Sequence, residues 1–156
     1  VEEVSPRKVS GKDWMRKKEM IERRETAEEA VFPDGAKLLL ICINRTIQID
    51  DKSYKLLDRV RYSWKVSPRK AEEAEYVLAV AQGLIIGVFE NGEWMDATEE
   101  NFGGEIPERY GNWEHQGGRS GFRGHEAPDD VKKRYLHKRV PRELRGHGSP
   151  IRYVGV

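Results

Sequence analysis

Residues 75–94 read EYVLAVAQGLIIGVFENGEW, and the fold class follows from their pattern. Two short apolar runs, Tyr76–Ala81 and Leu84–Phe89, are separated by Gln82-Gly83, which suits a tight connection between antiparallel strands. Asn91-Gly92 then precedes Trp94, and Asn-Gly readily supplies the two positive-φ positions of a hairpin turn. The stretch therefore predicts three consecutive antiparallel strands, a β-meander. Gly87, inside the second strand, marks a bulge or the close approach of another backbone.

Upstream, Leu38–Ile43 is a continuous apolar run of strand length, the pattern of a central strand buried on both faces. Asn44-Arg45-Thr46 ends it, and Pro33-Asp34-Gly35 supplies a turn before it. Residues 10–31 predict a helix opened by Ser10 and Asp13, with a thin apolar stripe suited to the domain surface or a partner. Shorter helices are expected over 53–63 and from Ser67-Pro68 through Ala74. Another runs from Pro128 to about Leu136, with Asp129 and Asp130 in its first turn and Lys132, Lys133 and Arg134 further on, an order that suits the helix dipole. Residues 99–118, with five glycines and Pro107, read as a long loop. Arg119–Arg123 and Ile151–Val154 complete the strands. The expected class is α+β, a mixed or antiparallel sheet with flanking helices. The expected organisation is one domain over 1–156, with 1–31 as an N-terminal helical extension and 37–156 as a β-rich core.

Hydrophobic residues make up 37% of the chain and charged residues 35%, a charge-rich surface around a modest core. Net charge is +1, but it is segregated. Residues 85–118 hold one basic and eight acidic groups, and 119–156 hold ten basic and four acidic. A basic C-terminal third points weakly toward polyanions, unless it packs against the acidic stretch and is neutralised there. The single cysteine, Cys42, excludes an internal disulfide and a cysteine-based zinc cluster, and its apolar setting predicts a buried, inert thiol. No apolar run approaches the about 20 residues needed to span a bilayer, and no signal-peptide core is present. A cytoplasmic protein with no membrane partner is expected.

Catalytic motifs are missing. His115, His125, His137 and His147 stand ten to twelve residues apart, without the tight pairing of a metal site. No H-E-x-x-H, G-x-x-x-x-G-K-[ST] or G-x-S-x-G occurs. Acidic pairs at Asp50/Asp51, Glu72/Glu73, Glu99/Glu100 and Asp129/Asp130 leave a metal-dependent nuclease or hydrolase open, with Asp96 and Glu99 as its acids, but such pairs are common on solvated faces. Neither a metal nor another cofactor is expected. Interleaved arginines and aromatics carry more. Arg61 and Trp64 fall in one stretch, and Trp113, Arg119, Phe122 and Arg123 cluster near the meander and the long loop. Readers of nucleic acid need cations for phosphates and flat side chains on which unpaired bases stack.

The strand pair within residues 75–94 resembles that at the centre of PUA-like domains (the PUA, ASCH and EVE group), in which a glycine turn leads into an "I-(I/V)-G" strand. Arg45, Arg61, Trp64 and RSGFRG at 119–124 are similar to features of uncharacterised bacterial and phage proteins near DNA-modification and defence systems. The resemblance covers about a third of the chain. It implies a curved sheet or pseudo-barrel with a concave pocket for RNA or a modified, flipped DNA base. The ASCH pattern G-x-K-x-x-E-x-R is absent, because Gly83 is followed by Leu-Ile-Ile-Gly, so no family site residue carries over. On side-chain chemistry, Arg45, Arg61, Arg119 and Arg123 are expected to contact phosphates or base edges, with Trp64, Trp113 and Phe122 as stacking surfaces. The expected partner is RNA or DNA. The alternative is a regulatory protein that docks a protein partner through the 10–31 helix.

Overall fold

Strand β1 (Leu38–Cys42) forms where the apolar run is longest, and Leu38 to Ile41 are each at most 1% exposed. In the computed structural model, which describes residues 16–43, 55–106, 111–145 and 148–156, this strand lies inside a five-stranded sheet. It pairs in parallel with β2 (Tyr76–Ala81) and antiparallel with β7 (Ile151–Val154). Parallel neighbours need a crossover. Here it carries α2 (Leu56–Arg61) and α3 (Pro68–Ala71), whose Ser67 Oγ accepts the Lys70 N–H as an N-cap. From β2 the chain turns through Gln82 (φ 53°) and Gly83 (φ 78°), the two positive-φ positions of a tight hairpin, into β3 (Leu84–Glu90). The sheet order is β6-β3-β2-β1-β7, with β6 being His125–Glu126. Of the expected forms, the described residues make the open mixed sheet rather than a closed barrel.

Both faces of this sheet are covered, which is why its inner strands are apolar throughout. Leu39, Ile41, Val77 and Ala79 pack on one face with Val60, Ala71, Trp94, Phe122 and Met20 of α1 (Lys17–Thr26). Leu38, Leu40, Leu78 and Val80 pack on the other with Val131 and Tyr135 of α5 (Asp129–Tyr135). The β2–β3 register shifts between Ala79, opposite Gly87, and Val80, opposite Ile85, so Ile86 is an extra residue. This is a bulge of the kind Gly87 signals. It reverses the alternation, sending Val88 to the α5 face and Phe89 to the other.

The meander is not what forms. β4 (Trp94–Asp96) leaves the main sheet and pairs with β5 (Ser120–Phe122) in a separate two-stranded sheet, and the outer neighbour of β3 is β6. Asn91 explains the departure. Its amide donates to the carbonyls of Ala71 and Ala74, both at 2.8 Å, and its Oδ1 accepts the Trp94 indole N–H at 3.0 Å. The residue ties the chain down behind α3 and is not one corner of a hairpin.

The helix expected over 10–31 is observed as α1, ending at Thr26; its Ser10–Asp13 start lies outside the described residues. Beyond Ala27 the chain is extended, because Glu29 forms a parallel bridge with Arg139. The long loop contains α4 (Glu99–Phe102), capped by Thr98, and a 3₁₀ turn at Trp113–His115. Among the described residues no helix is long and apolar enough to cross a membrane.

Candidate nucleic-acid interface

The small sheet and the segment after it bring most of the arginine–aromatic candidates into one lobe. Trp64 and Ser120 exchange two backbone hydrogen bonds of 2.8 Å, which joins the end of α2 to β5. Phe102 lies beneath this lobe with Tyr62, Ala97 and Ile106, and Met95 and Trp113 pack against them.

Within the lobe the candidates do not form one open cradle. Phe122 is fully buried and stacks on Trp94 at 4.9 Å between centroids, so no face is left for a base. Trp64 is 8% exposed and donates its indole N–H to the Val60 carbonyl at 2.6 Å. Both belong to the core, because flat, apolar rings beside a small sheet close it against the main sheet. Arg61 is buried, bonded through Nε to Asp58 at 2.9 Å and through Nη1 to Glu105 at 2.7 Å. Arg123 meets the other Glu105 oxygen at 2.8 Å and donates to the Asn101 carbonyl at 2.7 Å. Their guanidiniums stand 5.9 and 5.8 Å from the Phe102 ring centroid. Glu105 therefore fastens the segment 97–106 to Arg61 of α2 and to Arg123 at the end of β5, while Asp58 holds Arg61 within α2.

Trp113 is half-buried, its ring edge-on to Tyr62 at 5.7 Å. The Tyr62 hydroxyl donates to the Gly111 carbonyl at 2.5 Å, and burial pushes its pKa up to about 12. Arg119 donates to the Ser63 carbonyl at 3.2 Å and has no ion pair among the described residues. Arg45 lies outside the described residues.

The basic C-terminal third is partly neutralised where it folds. Lys132 pairs with Glu126, Lys138 with Glu28 at 3.4 Å, and Arg139 with Glu29 at 3.7 Å. The acidic stretch contributes Glu105, paired with Arg123, and Glu90, 3.1 Å from His125. The nuclease candidates form no cluster: Asp96 is exposed, Glu99 sits in the first turn of α4, and Asp50/Asp51 lie outside the described residues. Among the described residues no group of three or more His, Cys, Asp or Glu side chains could hold a metal. Cys42 is half-buried at the end of β1. The apolar residue Met20 of α1 is buried against its own domain.

An open groove lies elsewhere, between the segment joining α2 to α3 and strand β7. It has a volume of about 390 Å³ and is lined by Lys65, Val66, Ser67, Lys70, Ser149 and Tyr153, with Ile151 and Gly118. No carboxylate lines it, and neither lysine has an ion pair among the described residues. The Ser67 Oγ accepts the Lys70 N–H at 3.4 Å and the Ser149 Oγ accepts the Ile151 N–H at 3.1 Å. With those oxygens occupied, each hydroxyl proton remains available to donate. Lys70 Nζ stands 4.4 Å from the Tyr153 ring centroid, and burial raises the Tyr153 pKa, keeping the phenol protonated. The side-chain polarity of the groove is thus that of an anion site, two ammonium groups and three hydroxyl donors. A smaller pocket on the other side of α3, with Glu72, Asn91 and Glu93, has the opposite sign.

Sequence reasoning missed this groove, since its lysines and Tyr153 are far apart in the chain. One signal was present: Ile151 and Tyr153 alternate on β7, which puts both on the face toward α3. Comparison with known proteins gives no match: no family model, curated protein or solved structure matches the chain.

Proposed function

We propose that this protein is a nucleic-acid-binding module whose phosphate contacts lie at the groove between Lys65–Lys70 and β7. The observation that carries the reading is the groove's lining, cationic and donor-rich with no carboxylate among the described residues, whereas Arg61 and Arg123 in the neighbouring lobe are already paired with acids. Arg119 directly follows the groove's Gly118 and is the candidate arginine best placed to extend it. Arg61 and Arg123, whose donors are spent on Asp58, Glu105 and Asn101, shape the neighbouring lobe instead. The ligand class agrees with the one implied by the resemblance of residues 75–94 to PUA-like domains, but the case rests on the groove.

Fluorescence anisotropy with labelled RNA, single-stranded DNA and duplex DNA, across a salt series, tests the reading. Binding should be tightest at low salt. The Lys65→Ala/Lys70→Ala protein should bind more weakly and with a shallower salt dependence. On a single strand the logarithmic slope should fall by about 0.7 for each phosphate that is no longer neutralised. Flat titrations with every oligonucleotide at low salt would overturn it.

A further inference from the structure

Resting on that reading, we infer that the groove takes a single strand, one unpaired base stacking on Tyr153 while Lys65 and Lys70 hold the adjoining phosphate. Three observations converge. Tyr153 lies on β7, an edge strand, and is only partly covered. Its ring is approached by Lys70 at 4.4 Å, a cation on the electron-rich face of an aromatic. Lys70 is exposed and its stem is flexible, so its ammonium can leave the ring for a phosphate as a base arrives. The ring is then uncovered where the neutralising charge has moved, and the exchange keeps one cation close to both groups.

Size and polarity select the same ligand. A volume of about 390 Å³ falls in the range of roughly 300–1,000 Å³ typical of small-ligand pockets, a space for a nucleotide rather than for the width of a duplex. In a duplex both faces of each internal base are covered by neighbours, so a single ring in a groove has nothing to stack on; an unpaired base offers its face. Val66 and Ile151 give the apolar contact such a base needs, and Ser67 and Ser149 place donors beside the lysines for the phosphate or the base edge.

The full chain tests this with labelled oligouridine, oligothymidine and a blunt duplex of equal length at low salt. Both single strands should bind more tightly than the duplex. Tyr153→Phe should retain single-strand affinity, whereas Tyr153→Leu should lose about tenfold, the effect of removing one base–aromatic stack. Photocrosslinking of the unaltered protein to a strand carrying 4-thiouridine needs no folded variant, and should attach the strand to the β7 peptide that contains Tyr153. Equal affinity for duplex and single strand, an unweakened Tyr153→Leu protein, or crosslinks confined to other peptides would overturn the inference while leaving nucleic-acid binding intact. Absence of binding to all three probes would remove both.

Discussion

At the scale of single residues, Gly92 and Asn91 show how a turn signal can serve another purpose. A Cβ on Gly92 would lie 1.8 Å from the Arg123 carbonyl oxygen, so the backbones of the two segments touch where a side chain would stand. Gly92→Ala should therefore destabilise the protein by about 2–3 kcal/mol, as overpacking against an unyielding backbone does. Gly104 has open space around its Cβ position and no positive φ, and Gly104→Ala should be neutral or stabilising by less than about 1 kcal/mol. Urea denaturation of the two proteins side by side checks both. The Asn-Gly pair was legible as a break in the chain. Its role was not, because the carbonyls of Ala71 and Ala74 that Asn91 satisfies come from an element that pattern alone cannot place beside it. That Arg61, Trp64 and Phe122 are buried with partners of their own was not legible for a similar reason. Arginine beside aromatic reads the same whether the cation awaits a phosphate or already has Asp58 and Glu105.

Among elements, the segment from β4 to β5 depends on one carboxylate. Glu105 holds Arg61 at 2.7 Å and Arg123 at 2.8 Å, so a single side chain ties 97–106 to both α2 and the end of β5. Glu105→Gln keeps one acceptor oxygen but removes the charge, leaving Asp58 as the carboxylate paired with the buried Arg61. The expected cost is about 1–2 kcal/mol, because Glu105 is partly solvated and water recovers some of the loss. Hydrogen exchange should show the loosening concentrated in 97–106, with β1, β2 and β3 unchanged. Uniform loosening of the whole domain would show that the carboxylate does not act locally. Strands β1, β2, β3 and β7 were legible within a residue or so, since each is an apolar or alternating run with its own turn residues. The pairing of β4 was not, because a three-residue strand carries too little pattern to name its partner.

For the molecule as a whole, the question is whether residues 1–31 are an appendage or part of the domain. Met20 is 1% exposed within the core, Arg24 donates to the Gln82 carbonyl at 3.0 Å, and Ala30 bonds the Arg139 carbonyl at 2.8 Å. Deleting 1–31 should cost more than about 2 kcal/mol, the burial of Met20 alone being of that order. A lowered thermal midpoint and increased binding of a hydrophobic dye would check it, and an unchanged midpoint would mark the segment as dispensable. Loss of a protein partner in such a truncation would therefore first have to be separated from loss of the fold. The chain by itself determined that this is an α+β protein built on buried strands at 38–42, 76–81, 84–90 and 151–154, because burial on both faces requires continuous apolarity and turns require particular residues, both local properties. Only the tertiary structure decided the strand order, the second small sheet, which arginines met carboxylates, and where Lys65 and Lys70 met a half-covered tyrosine. Those outcomes depend on energies shared between residues far apart in the chain, and no local pattern records them.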